Sequence, residues 1–204
     1  MDVAVPHEEA TSRLAPGDGP QDRGRGAPER PQSMRLWIGV WPPEDVVEAL
    51  RRLDRPARAG VRWTTQDQWH VTLRFLGQVA HEDVPALAHA LQQVARRHRP
   101  VEVELGPRLE RLNRHTLVVP VTGLEALAAD VVAATAHLGA PPDDRPFHGH
   151  LTLARARRRA AVPTDLADRE LRGGWRAGAM HLVHSHLEAS GSRYVNLGEF
   201  RLTA

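Results

Sequence analysis

Cysteine and lysine are both missing from this 204-residue chain, and each absence excludes something. Without cysteine there can be no disulfide, thiol nucleophile, zinc ribbon or iron–sulfur cluster. Without lysine every basic side chain is an arginine or a histidine, and the arginine guanidinium suits phosphate oxygens without identifying a ligand by itself. No apolar run approaches the roughly 18 residues that span a bilayer, and the N-terminus has no basic-then-apolar signal pattern. We therefore predict a cytoplasmic protein that contacts no membrane.

Residues 1–33 differ in composition from the rest of the chain. They are rich in proline, glycine and charge, with Val3, Val5 and Leu14 as the only large aliphatic side chains. Such a segment buries too little apolar surface to offset the entropy that is lost when it becomes ordered. We predict a disordered tail over residues 1–33 and a folded domain over residues 34–204.

From residue 35 onward the hydrophobic pattern switches between strand and helix periods. A strand, a helix and a second strand occur in the first half, and the same order recurs in the second half. We predict strands at 35–41, 69–76, 101–105, 116–121, 149–155, 180–187 and 194–202, and helices at 42–53, 82–97, 124–138 and 166–171. The recurrence predicts an α+β fold with two lobes related by a pseudo-two-fold axis, each a small, mostly antiparallel sheet with outer helices. The cleft lies between the lobes, and the C-terminal hairpin completes one of them.

Two copies of one tetrapeptide class mark the same place in the two units. His-Val-Thr-Leu begins at His70 and His-Leu-Thr-Leu at His150, 80 residues apart, while the first strands of the two units begin 81 residues apart. Alternate residues of a strand share a face, so Thr72 accompanies His70 and Thr152 accompanies His150. One imidazole can take a proton, the other can give one, and the hydroxyls can bind phosphoryl oxygens. A single His-x-Thr is usually structural, but two copies in register with a repeat favour phosphodiester chemistry.

The chain resembles the 2H phosphoesterases in two signatures, HVTLRFLG at 70–77 and PFHGHLTLARAR at 146–157. Within that superfamily it is most similar to the LigT-like RNA 2′,3′-cyclic phosphodiesterases. The similarity extends over residues 34–202, because the flanking strands MRLWIGVWPP and LVHSHLEASGSRYVNLGEFRL also match. It implies hydrolysis of a 2′,3′-cyclic phosphate at an RNA end to a 2′-phosphomonoester, with no metal or other cofactor.

The resemblance also implies roles for individual residues. His70 is the expected proton donor and His150 the expected acceptor, although the sequence alone does not order these roles, because the two units are nearly equivalent. Thr72 and Thr152 are expected to hold the non-bridging phosphate oxygens. Arg155 stands where the family carries a phosphate-contacting arginine. Strict alternation puts Arg155 on the face opposite His150, so this contact requires a twist or a bulge in the strand.

Three further side chains are candidates for substrate binding, each with a structural alternative. Arg74 shares the His70 face and either contacts phosphate or forms a surface ion pair. Phe75 either stacks on a base or packs in the core. His148 either lines the mouth of the cleft or is an ordinary solvated or packed histidine.

Other functions stay open at this point. A 2H enzyme that acts on ADP-ribose cyclic phosphate, or that joins or cleaves 2′–5′ RNA linkages, would use the same motifs. A non-catalytic binder of RNA ends would keep the cleft but has no need of two proton-transfer groups. A metallohydrolase could use His181, His184 and His186, yet alternation separates the first from the other two and no cysteine or nearby carboxylate completes a set. We predict no metal, RNA ends or nucleotides bearing a cyclic phosphate as partners, and a monomer with no stable protein partner.

Overall fold

The computed structural model describes residues 32–188 and 191–204, and the tail predicted over residues 1–33 lies outside this part except for its last two residues. The described residues form ten strands and three helices. The strands are β1 Ser33–Val40, β2 Val61–Trp63, β3 Val71–Ala80, β4 Val101–Leu105, β5 Glu110–Asn113, β6 Thr116–Thr122, β7 His150–Ala156, β8 Gly173–Ala177, β9 Ala179–Glu188 and β10 Gly191–Arg201. The helices are α1 Glu44–Arg51, α2 Val84–Ala95 and α3 Glu125–Thr135. Short 3₁₀ turns lie at Gln66–Gln68, His81–Asp83 and Thr164–Leu166.

The strands join into one antiparallel path in the order β10-β9-β1-β3-β7-β6-β4-β8, with β2 paired to β7 and β5 paired to β6. The two repeat units meet at β3 and β7, which pair through Val71 and Leu151. The predicted mixture of helices with an antiparallel sheet is therefore confirmed. The C-terminal hairpin of β9 and β10 extends the β1 side of the sheet. The arrangement as two pseudo-symmetric lobes stays a prediction.

Helices form where the apolar side chains recur at helical spacing and can face the sheet. In α1, which follows Pro43, the buried side chains are Val46, Val47 and Leu50. Their spacing of three to four residues makes one apolar stripe. Helices α2 and α3 pack against each other, and α3 also lies against β3. Among the described residues, no helix combines the length and the apolar character needed to cross a membrane.

The helix predicted at 166–171 is wrong. Asp168 has a φ of 63°, in the left-handed region that interrupts a helix. The backbone beyond it pairs with the loop after β4 instead, because the Leu171 N–H donates to the Pro107 carbonyl at 3.0 Å. The prediction also missed β2, β5 and β8, which have three to five residues each and show little of the alternation that marks a longer strand.

Candidate active site

The two histidine motifs lie side by side at the junction of the two units. His70 directly precedes β3, and His150 is the first residue of β7. Because Val71 pairs with Leu151 in an antiparallel register, His70 lies across from Thr152 and His150 lies across from Thr72. The two imidazoles are close enough for a positive charge on His150 to disfavour protonation of His70.

Both imidazole rings are anchored in the same way. His70 Nδ1 lies 2.8 Å from the Gln68 carbonyl oxygen, and His150 Nδ1 lies 2.7 Å from the His148 carbonyl oxygen. A carbonyl oxygen only accepts, so each Nδ1 carries a hydrogen and donates it. In the neutral ring the lone pair is then on Nε2. Both motifs therefore present Nε2 as the nitrogen that can gain or lose a proton.

A β-bulge brings Arg155 to the face of the site. Thr152 pairs with Val118 and Ala154 pairs with Leu117, so Leu153 between them has no partner on β6. The extra residue resets the alternation and turns Arg155 to the Thr152 face. Arg155 lies close enough to both histidines for its positive charge to lower the pKa of His70 and of His150.

An equivalent bulge removes Arg74 from the site. Leu73 is skipped in the pairing of β3 with β1, so Arg74 turns into the protein and is only 4% exposed. Its guanidinium donates to the carbonyls of Leu138 at 3.1 Å and Ala140 at 2.9 Å, and to the Thr135 hydroxyl. The expectations of a phosphate contact or a surface ion pair for Arg74 are both wrong. It binds the backbone that follows α3.

Phe75 lies on the face that Arg74 leaves. It pairs in register with Trp37 of β1, and its side chain is 47% exposed. The guanidinium carbon of Arg35 lies 5.0 Å from the centre of the Phe75 ring. The interpretation of Phe75 as a core residue is therefore wrong, because about half of the side chain is exposed.

Three aromatic side chains that the sequence analysis did not select surround His70. The Trp37 ring stacks on the imidazole with centroids 4.1 Å apart and planes 27° apart. Tyr194 and Trp41 stand edgewise, with centroids 5.0 Å and 5.7 Å from His70. The available signal was the spacing of Trp37, Gly39 and Trp41, which puts all three on one face of β1 and the residue after it. Tyr194, on distant β10, gave no such signal.

Burial dominates the titration of both histidines. It lowers the pKa of His70 from 6.5 to about 4, with smaller effects in the same direction from Arg155 and His150 and an opposing effect from the hydrogen bond to the Gln68 carbonyl. It also lowers the pKa of His150, where the charges of His148 and Arg155 add to the effect and the hydrogen bond to the His148 carbonyl opposes it. Both rings are therefore neutral in the free protein at pH 7. An anion between them would raise both pKa values.

Four other histidines lie close in sequence to the strands of the site or of the C-terminal hairpin: His148 precedes β7, and His181, His184 and His186 lie on β9. His148 is exposed, and its ring centroid lies 6.0 Å from that of His150. On β9, the rings of His184 and His186 lie 3.9 Å apart, whereas His181 faces Glu199 with Nε2 3.8 Å from Oε2. Within residues 32–188 and 191–204, no three or more His, Asp or Glu side chains are grouped to hold a metal ion.

Paired His-x-Thr motifs on adjoining strands are the mark of the 2H phosphoesterases, and comparison with known proteins gives the family. The family described as LigT like Phosphoesterase matches residues 40–106. An RNA 2′,3′-cyclic phosphodiesterase of Thermus thermophilus is 31% identical over 187 residues, 83% of this chain and 90% of the relative. One from Geobacillus stearothermophilus is 33% identical over 128 residues, 58% of this chain and 41% of the relative. The chain belongs to the LigT-like phosphoesterase family.

Solved structures carry the same fold. A crystal structure of a Thermus thermophilus protein has a TM-score of 0.70 and 26% identity, covering 83% of this chain and 98% of the other. E. coli LigT complexed with 3′-AMP has a TM-score of 0.69 and 26% identity, covering 85% and 100%. Together with the family membership, these likenesses make the protein an enzyme of the phosphoesterase class.

Proposed function

We propose that this protein hydrolyses 2′,3′-cyclic phosphate ends of RNA to 2′-phosphomonoesters, without a metal, by general acid–base catalysis at His70 and His150. The observation that carries the proposal is the matched anchoring of the two rings, each held through Nδ1 with Nε2 left to exchange a proton. The substrate is supported by two relatives named RNA 2′,3′-cyclic phosphodiesterase and by a LigT structure that contains 3′-AMP.

The reaction requires one proton to be accepted and one to be given. His150 Nε2 accepts a proton from water as the water oxygen forms a bond to phosphorus. The bond from phosphorus to O3′ breaks, and His70 Nε2–H donates its proton to O3′. The products are a 2′-phosphate and a free 3′-hydroxyl. His70 is then neutral and His150 is protonated, and exchange with solvent restores the starting state.

Charge on the phosphate is balanced by side chains from both motifs. In the proposal, the hydroxyls of Thr72 and Thr152 donate to the non-bridging oxygens, and Arg155 supplies a fixed positive charge. Hydroxyls and a guanidinium then take the place of the cation that other phosphodiesterases use. The bound anion raises the pKa of His70, so the ring is protonated in the complex although it is neutral in the free protein.

The proposed catalytic unit is the whole folded domain. Residues 34–204 would act as a monomer in the cytoplasm, with two lobes related by a pseudo-two-fold axis that passes near Val71 and Leu151. Substrate would enter between the lobes, with His148 at the mouth and Phe75 beside the threonine of the first motif.

Turnover of adenosine 2′,3′-cyclic phosphate in EDTA tests the proposal. We expect wild-type turnover to continue, and His70→Ala and His150→Ala each to lose at least about 100-fold in kcat. His89→Ala, an exposed histidine on α2, is the matched control and should behave as wild type. Loss of wild-type activity in EDTA would overturn the metal-free mechanism. Binding of RNA ends without turnover would instead favour a non-catalytic end-binding protein.

A further inference from the structure

We propose that Trp37, kept in place by Gly39, is a positioning residue that makes His70, rather than His150, the proton donor. The inference rests on the proposed function, because it gives a physical reason for the donor and acceptor roles assigned there, which the near-equivalent motifs alone leave unordered. Trp37 would act through the imidazole and would not touch the substrate.

The packing of Trp37 fixes the face that it presents to His70. The side chain is 3% exposed, and its ring lies against the imidazole at 4.1 Å and 27°. Its indole Nε1 is buried with no hydrogen-bond partner, so packing alone orients the ring. A Cβ at Gly39 would lie 2.7 Å from Trp37 Cζ3 and 2.3 Å from the Val71 carbonyl oxygen. The lack of a side chain at Gly39 therefore leaves the indole room to reach His70.

Trp41 and Tyr194 also lie against His70, and together with Trp37 they form what we call the aromatic box. The Trp41 indole N–H donates to Asn196 Oδ1 at 3.1 Å, which ties the end of β1 to β10. The Tyr194 ring stands at 82° to the imidazole and at 79° to the Trp37 ring. His70 is thereby held with Nδ1 on the Gln68 carbonyl and little freedom to rotate.

The rings next to the two histidines have opposite effects on protonation: one favours the imidazolium form and the other disfavours it. The π face of an indole attracts a cation, so Trp37 favours the imidazolium form of His70. The ring nearest to His150 is instead His148, whose positive charge disfavours an imidazolium there. Within the described part of the chain, the charged or titratable groups around His70 are His150 and Arg155 of β7 and Tyr194 of β10. Arg155 disfavours protonation of both rings, so it does not distinguish them.

Burial opposes protonation of His70 in the free protein. A bound anion favours the protonated form of both rings and so counters this opposition. With the anion present, the difference between the two rings is set by their neighbours. The indole face of Trp37 lies against His70, whereas a second histidine, His148, lies near His150. His70 would therefore be the ring that carries the proton in the complex.

Nitrogen-15 NMR titration of both imidazoles in saturating sulfate tests the inference, because sulfate keeps a constant charge across the titration. In the wild type we expect the pKa of His70 to exceed that of His150. In Trp37→Leu the pKa of His70 should fall by about 0.5–1.5 units, which corresponds to a cation–π interaction of about 0.7–2 kcal/mol. Trp37→Phe should keep most of the wild-type value, since it retains a ring. Trp63→Leu, a partly buried tryptophan outside the box, is the control and should leave both values unchanged.

Kinetics on the cyclic nucleotide supply the second readout. Trp37→Leu should lower kcat and move the alkaline limb of its pH profile to lower pH, with KM within about twofold, since no substrate contact is lost. An unchanged His70 pKa in Trp37→Leu, or an equal fall at both histidines, would overturn the inference. The titration does not depend on turnover. A wild-type protein with the expected pKa values but no hydrolysis would therefore refute the proposed function and leave the effect of Trp37 on His70 standing.

Discussion

Leu73 and Leu153 are the extra residues of two equivalent β-bulges, each directly after the His-x-Thr of its motif. Both bulges reset the strand alternation, so the fifth residue after each histidine returns to the face of the site. In one motif that residue is Phe75, and in the other it is Arg155. The two nearly identical motifs thus give the site one end with an aromatic ring and one end with a positive charge.

The pH dependence of kcat/KM should be acidic. Catalysis needs His70 protonated and His150 neutral, and the pKa of each ring is lowered in the free protein, that of His70 to about 4. A profile governed by these groups rises and falls through two pKa values that both lie below 6.5, so its maximum falls between about pH 4 and 6.5. The kcat profile reports the complex and should lie at higher pH, since the bound anion raises both pKa values. A maximum of kcat/KM above pH 7 would contradict the assignment.

Arg155→Ala should impair catalysis and raise the pKa of both histidines. The substitution removes a charge that would balance the phosphate, with an expected loss of about 100-fold or more in kcat/KM. It also removes the charge that disfavours both imidazolium forms, so NMR should show both pKa values moving up. Arg155→Lys should recover part of the activity. Arg158→Ala, also exposed and in the same basic run, is the control, and an equal loss there would indicate a general effect of positive charge.

Arg74→Ala should destabilise the fold. It leaves the Leu138 and Ala140 carbonyls without their donors and opens a cavity beside α3, so we expect about 2–4 kcal/mol less free energy of unfolding. Chemical denaturation checks this. Activity per folded molecule should stay near that of the wild type. A stable Arg74→Ala protein with much weaker substrate binding would show that this arginine acts on phosphate after all.

Phe75→Ala should weaken binding and leave stability nearly unchanged, because the ring is already half exposed. Loss of a base-stacking ring corresponds to about 1–3 kcal/mol, or about 5- to 150-fold in KM for a nucleotide substrate. Phe75→Tyr should bind as the wild type does. Leu112→Ala, where the side chain is 40% exposed on β5, serves as the matched control. Equal KM values for wild type and Phe75→Ala would place the base elsewhere.

The sequence predicted those features of the fold and the site that depend on residues close together in the chain. The His-x-Thr spacing predicted that each histidine shares a face with its threonine, and the longer strands and three helices follow from hydrophobic periodicity. The bulges at Leu73 and Leu153 are a property of pairing with a neighbouring strand, so alternation alone placed both Arg74 and Arg155 on the wrong face. The aromatic box needs contacts between β1, His70 and distant β10, and no local pattern encodes them.

The most direct measurement is single-turnover cleavage, in EDTA, of an RNA oligonucleotide that ends in a 2′,3′-cyclic phosphate, by wild type, His70→Ala, His150→Ala and the double variant. We predict a 2′-phosphate product from the wild type, and a double variant that is about as slow as either single variant, because the two rings act in one step. A 3′-phosphate product, or near wild-type rates in either single variant, would contradict a mechanism in which these two histidines break the bond to O3′.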